Sequence, residues 1–199
     1  MPPRRVYRLF FLLCSLLVFA GCAQLPPRQV PALETQAIDT TQTRLAHALA
    51  PGVQAHPKLS GVRLIESGRD AFAIRVLLAE AAERTLDVQY YIWRDDVSGR
   101  MMFEALIRAA ERGVRVRLLL DDLGTNGLDA KLATLDAHPN IEVRLFNPFP
   151  QRKAKYLGFL SDFHRLNRRM HSKSFTVDQQ ATVVGGRNVA DAYFGVPTE

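Results

Sequence analysis

Between residues 61 and 166 the apolar positions switch repeatedly between two periods. Phe72, Val76 and Ala79 fall on one helical stripe, with Ala73, Leu77 and Ala81 beside it, and Ser67-Gly68-Arg69-Asp70 has the form of a capping box. This predicts a helix from about residue 68 to Arg84. Leu86, Val88, Tyr90 and Ile92 then alternate with polar residues, as a strand does. Ser98 is read as the cap of a second helix carrying Met102, Ala105, Leu106 and Ala109, stopped by Gly113. Alternation returns at Val114, Val116, Leu118 and Leu120. A third helix is predicted from Asn126 through Leu128, Leu132 and Leu135 to near Pro139, and a third strand over Ile141, Val143 and Leu145. Strand–helix–strand–helix–strand order implies parallel strands joined by right-handed crossovers. Ligands in such folds gather at the carboxyl ends of strands, here Trp93-Arg94-Asp95-Asp96, Asp121-Asp122 and Phe146-Asn147.

The pattern changes after residue 166. Residues 170–177 alternate and are rich in Phe, Thr and Val, Asp178-Gln179-Gln180 has turn character, and residues 181–184 return as a second strand. The hairpin adds antiparallel pairing, so the fold class is α/β with a mixed sheet flanked by helices. On a strand His171 and Lys173 project from one face, roughly 6–7 Å apart. Gly185-Gly186 allows a close backbone approach, and Asn188 is read as the N-cap of a short helix through Phe194, with Asp191 completing a weak capping box. Singly, His171 reads as a core histidine, Lys173 as an edge residue and Asn188 as a cap. Together an imidazole, an ammonium, an amide and a helix start suit phosphoryl transfer. The imidazole attacks or protonates, and Lys173 and Asn188 orient and neutralise the non-bridging oxygens.

The spacing of His171, Lys173, Asp178 and Gly185-Gly186-Arg187-Asn188 resembles the HKD motif of the phospholipase D superfamily, H-x-K-x4-D-x6-G-S/G-x-N. Gly-Gly-Arg-Asn, with Tyr90-Tyr91-Ile92-Trp93, Gly99 and Arg112-Gly113-Val114-Arg115-Val116, resembles the C-type cardiolipin synthase branch. The resemblance implies a phospholipase D-like α/β/α sandwich and a catalytic set of His171, Lys173 and Asp178, with Lys173 and Asn188 binding phosphate. Within that set Asp178 is expected to orient the hairpin more than to do chemistry. The implied reaction is phosphatidyl transfer between phospholipids such as phosphatidylglycerol, through a phosphohistidine-type intermediate with no metal or cofactor. The alternatives are phosphodiester hydrolysis, as a phospholipase D or a nuclease, and a catalytically incomplete lipid-binding lipoprotein. Nucleic acid ranks below lipid as a partner. Family members carry two such motifs, in tandem or by dimerisation, and this sequence shows one. The chain is therefore expected to be the N-terminal part of a longer protein and to present half an active site, inactive alone. Glu199 is a weak stand-in for the acid that orients the motif histidine in the family.

The first 60 residues read differently. Arg4, Arg5 and Arg8 precede an apolar run from Leu9 to Ala20, the layout of a signal peptide over residues 1–21. Phe19-Ala20-Gly21-Cys22 resembles a bacterial lipobox, which implies lipidation at Cys22 and a periplasm-facing address in the cell envelope. Ala23 after the cysteine favours the outer membrane. Residues 22–60, with Pro26, Pro27, Pro31, Pro51 and Pro57, read as a tether holding at most one weak helix between Glu34 and Ala50, and 61–199 as the domain. The cysteines are Cys14 and Cys22, so thiol chemistry and a Cys-ligated zinc are excluded from the domain.

Charge sharpens the picture in one place. The sequence has 47% hydrophobic and 23% charged residues, values of a globular chain, and a net charge of +6 of which the leader carries half. From Arg152 to Lys173, however, seven lysines and arginines face one acid, Asp162, a run suited to attracting phosphates. Interleaved Phe149, Tyr156, Leu157, Phe159, Leu160 and Phe163 belong either at a membrane interface or packed under the domain. Asp121-Asp122 after a strand is read as a cap or turn in preference to a magnesium site.

Overall fold

The computed structural model describes residues 37–152 and 154–197. The chain divides into two units. Among the described residues, one joins residues 37–146 to 169–197, and the other holds residues 147–168. The leader, Cys22 and Glu199 lie outside the described residues.

The larger unit contains helix α1 (Arg44–Ala55), helix α2 (Gly68–Ala81), strand β1 (Thr85–Ile92), helix α3 (Val97–Glu111), strand β2 (Arg115–Gly124), helix α4 (Asp129–Asp136) and strand β3 (Ile141–Phe146). After residue 168 it resumes with β4 (Ser174–Val177), β5 (Ala181–Val184) and the single turn α6 (Asp191–Phe194). The sheet order is β3-β2-β1-β4-β5. β1–β2 and β2–β3 are parallel, and β1–β4 and β4–β5 antiparallel, giving the mixed sheet expected. Alternation creates the core. Leu86, Val88 and Tyr90 of β1, Val116, Leu118 and Leu120 of β2 and Phe175 and Val177 of β4 are buried in one cluster with Met102, Ala105, Leu106 and Ala109 of α3. Leu132 and Leu135 of α4 join the same cluster. At roughly 1.5–3 kcal/mol per fully buried large side chain, this layer dominates the folding energy.

Several boundaries differ from the sequence reading for physical reasons. Ser67 does cap α2, its side chain accepting from Asp70 N. The cap of α3 is Asp96, whose Oδ1 accepts from Gly99 N at 2.9 Å, so Ser98 lies in the first turn. The third helix starts at Asp129, after a turn in which Gly127 has φ 78°. The strand expected from residue 170 starts at Ser174, because pairing with β1 ends at Gln89. Within the stretch read as a tether, α1 is capped by the buried Thr43. Arg44 also pairs with Glu83 at 2.7 Å, and the hydroxyl of buried Thr40 accepts from Gln180.

In the smaller unit a 3-10 turn, Lys155–Leu157, leads into helix α5 (Gly158–Leu166). Asn147, at φ 47°, donates from Nδ2 to the carbonyls of Arg165 and Arg168, and Arg165 returns a bond to Asn147 Oδ1 at 2.6 Å. Arg165 also pairs with Asp162, so this part of the basic run is committed locally.

Candidate active site

The site forms where β1 and β2 end. Tyr90 pairs with Leu120 and Ile92 with Gly124, leaving three residues of β2 opposite Tyr91 alone. This bulge takes the fully buried Asp121 and Asp122 out of the pairing with β1, although Asp121 still pairs with Phe146 of β3. Gly124 is required where the strands rejoin, since a Cβ there would come within 1.9 Å of the Tyr91 carbonyl oxygen. Asp121 accepts from Leu123 N at 2.9 Å, from Met170 N at 2.7 Å and from Arg169 Nη1 at 3.0 Å. Its carboxylate thus holds the two residues before His171, and the Arg169 side chain is only 10% exposed. Burial pushes the Asp121 carboxyl above its ordinary 3.8. The N–H groups of Met170 and Leu123 and the Arg169 guanidinium pull the other way, and Asp122 adds to the upward push.

His171 follows directly, and its ring lies on that of Tyr91 with centroids 4.3 Å apart and a 44° tilt. Lys173 folds back over the same ring, with Nζ 5.6 Å from the Tyr91 centroid, 3.2 Å from His171 Nδ1 and 2.9 Å from the His171 carbonyl oxygen. His171 is exposed and Lys173 half-buried. Asn188 is 3% exposed, and its Oδ1 accepts from the backbone N–H of Ile92 at 3.1 Å. It is not the N-cap of α6, as the sequence reading had it. Among the described residues its Nδ2 donates to no protein group, so an amide with a fixed oxygen keeps two donors for a ligand. Imidazole, ammonium and carboxamide are tied to the consecutive β1 residues Tyr91 and Ile92.

Asp178 is the exception within the motif. It lies past the other end of β4, and its fully buried carboxylate accepts from Glu83 N at 3.1 Å, Arg84 N at 2.8 Å and Thr85 N at 2.9 Å. Its own N–H donates to Thr85 O at 2.8 Å, and Asp178 and Gln179 turn the hairpin at φ 48° and 55°. The carboxylate orients the hairpin, while His171 and Lys173 precede the opposite end of β4.

Sequence reasoning missed the roles of four residues, Tyr91, Asp121, Asp96 and Asp191. Tyr91 was noted only as part of Tyr90-Tyr91-Ile92-Trp93, and its role needs the bulge to be seen. Asp121 was weighed as a turn or metal residue, and its partners lie 48 and 49 positions away. Asp96 and Asp191 interlock. Asp96 Oδ2 accepts from Asp191 N at 2.8 Å, and Asp191 accepts from Ser98 N at 2.7 Å and Val97 N at 3.3 Å. This clamp, with the Val189 carbonyl accepting from Arg94 N at 3.0 Å, fixes the segment that bears Asn188. Burial pushes the Asp191 carboxyl up, but the hydrogen bonds from Ser98 and Val97 outweigh it and hold the group below its ordinary 3.8.

A family model described as "Cardiolipin synthase, PLD-like domain" matches residues 74–199. The chain belongs to this family. Cardiolipin synthase C of Escherichia coli strain K12 is 62% identical over 156 residues, covering 78% of this chain and 33% of that protein. The major cardiolipin synthase of Bacillus subtilis is 34% identical over 137 residues, covering 69% of this chain and 27% of its own length. The chain thus spans about a third of the length of these curated relatives. A solved phosphatidylserine synthase of Haemophilus influenzae superposes with a TM-score of 0.50 at 15% identity, covering 76% of this chain and 34% of that one, which is a likeness of fold. The phospholipase D-like assignment made from His171, Lys173 and Asn188 agrees with the family match.

Proposed function

We propose that this chain supplies one histidine motif of a phosphatidyltransferase that makes cardiolipin from two phosphatidylglycerol molecules. One observation carries the reading. Lys173 Nζ and His171 Nδ1 are 3.2 Å apart on the Tyr91 ring, and the free side of the Asn188 amide is fixed at the next residue of β1. A phosphodiester at this point meets an ammonium and an amide for its non-bridging oxygens, with an imidazole in reach of phosphorus or of the leaving oxygen.

The chemistry divides into two displacements. A histidine nitrogen bonds to phosphorus and the glycerol oxygen leaves, taking a proton from a second histidine. The hydroxyl of another phosphatidylglycerol then gives its proton to that second histidine, bonds to phosphorus and displaces the imidazole. His171 fills one of these roles. The second motif comes from the rest of the full-length chain or from a dimer partner, a reading supported by relatives of which the matched part is only 33% and 27% of the length. Lipidation at Cys22 would hold the protein on the periplasmic side of the envelope, with the outer membrane favoured.

The test is product analysis of the full-length protein with phosphatidylglycerol vesicles. Cardiolipin, lost in His171→Ala, is the expected product. Phosphatidic acid instead would make the protein a hydrolase, and nicking of DNA in a parallel assay would make it a nuclease. Vesicle binding that survives His171→Ala, with no turnover in the unaltered protein, would make it a binding module.

A further inference from the structure

Tyr91 takes no part in the two displacements, yet both motif side chains rest on its ring. The His171 ring lies 4.3 Å from it, centroid to centroid, and Lys173 Nζ stands 5.6 Å from the same centroid. No strand holds either side chain. β4 begins at Ser174, and residues 168–173 have no regular structure. His171 is also exposed, so its backbone and solvent alone would leave the ring several rotamers. A contact that selects one of them must come from a part of the fold that is itself fixed.

Tyr91 meets that condition. It is the β1 residue that faces three of β2, and a Cβ on Gly124 would strike its carbonyl oxygen. On either side of it Tyr90 is buried and Ile92 N donates to Asn188 Oδ1 at 3.1 Å. The same bulge carries Asp121, which accepts from Met170 N and Arg169 Nη1. One irregularity in the β1–β2 pairing therefore sets both the backbone entering His171 and the surface on which its ring lies. Ring–ring contact and the pull of an aromatic face on an ammonium depend on the face and not on the phenol hydroxyl.

We propose that Tyr91 is a positioning residue, whose ring face holds His171 and Lys173 together at 3.2 Å before any phosphodiester arrives. This role rests on the transfer reading for what the two side chains then do, whereas the placement itself is measured without turnover. Phenylalanine at 91 keeps the face. Leucine keeps apolar bulk and loses the face.

The full-length protein with isotope-labelled histidine and tyrosine tests it, the His171 signals being identified by their loss in His171→Ala. A ring stacked on tyrosine is shielded by it. The carbon-bound ring protons of His171 should therefore lie upfield in the unaltered protein and in Tyr91→Phe, and move downfield in Tyr91→Leu. Total turnover of phosphatidylglycerol vesicles, counted as cardiolipin plus phosphatidic acid, should stay within about twofold in Tyr91→Phe and fall about ten- to a hundredfold in kcat in Tyr91→Leu, with KM changed little. Counting both products keeps the two readings apart, because phosphatidic acid alone would refute transfer and leave the ratio between variants readable. His171 protons that do not move in Tyr91→Leu overturn the proposal, as does a kcat that leucine leaves intact. Tyr91→Phe as impaired as Tyr91→Leu overturns it too, by assigning the effect to the hydroxyl. Cross-relaxation between the Tyr91 and His171 ring protons of the unaltered protein decides the placement if leucine prevents folding, and its absence overturns the proposal.

Discussion

Lys173 Nζ sits 3.2 Å from His171 Nδ1 and 2.9 Å from the carbonyl oxygen of the same residue. An ammonium only donates, so Nδ1 accepts and the proton of a neutral ring is on Nε2. A bound phosphate competes for Lys173 with charge-assisted bonds stronger than the one to imidazole. We expect long-range proton–nitrogen spectra to show the Nε2–H tautomer of His171 in the free protein and a shift toward Nδ1–H as inorganic phosphate is added. Lys173→Met should give a mixed tautomer population that phosphate does not change. An unaltered His171 pattern in saturating phosphate would mean that the lysine stays on the ring.

Asp121 acts on the site through the chain, as a positioning residue. Asp121→Asn keeps the shape but loses the ion pair with Arg169, so the backbone entering His171 is held by one fewer constraint. Displacements of about 1 Å cost catalysis up to about a hundredfold, and we expect kcat to fall by roughly ten- to a hundredfold with KM changed little. Because burial raises the Asp121 pKa, stability is lost as pH rises from its ordinary 3.8 through the folded value. The asparagine variant should therefore lose less stability than wild type on going from acid to neutral pH. A drop in KM-dependent binding with kcat intact would assign Asp121 to substrate contact instead.

Asp178 is a test of structure against chemistry. Its carboxylate serves three backbone N–H groups in a fully buried place, and Asp178→Ala strands them. The expected loss is roughly 3–5 kcal/mol in a denaturant titration. Asp178→Asn should lose less, and its folded fraction should turn over at close to the wild-type rate. A folded Asp178→Asn with no activity would return this residue to the chemical step.

Asp191 makes the site acid-sensitive. Its folded pKa is lowered, so its support is present above the ordinary 3.8 and is lost as pH falls through the folded value. Asp191→Asn should flatten the acid limb of a stability–pH curve and cost about 1–3 kcal/mol near neutrality, through the weakened bonds to Ser98 and Val97. A steep acid limb that survives in the variant would place the sensitivity elsewhere.

Most of the scaffold was legible because it rests on period. Alternation over 86–92, 114–120 and 141–145 marked the three parallel strands, the second of which runs on to Gly124, and spacing marked the motif residues His171, Lys173 and Asn188. What escaped were relations between distant segments. Asp96 displaced Ser98 as a cap because Asp191, 95 positions on, completes the arrangement. Asn188 looked like a cap because a local reading cannot see Ile92. The bulge opposite Tyr91 has no local signature, so Asp121 looked like any acid after a strand. The basic run read as one electrostatic patch, yet Arg169 and Arg165 are held in ion pairs and Lys155 is buried.

The bonds from Thr85, Arg84 and Glu83 to Asp178 close a span of more than ninety residues. During synthesis β1 leaves the ribosome long before its antiparallel neighbour exists, and closing so long a span is slow. The parallel trio can assemble first, but its bare flank, β1, must wait for the hairpin. The imidazole therefore reaches Tyr91 only after this hairpin has paired with β1.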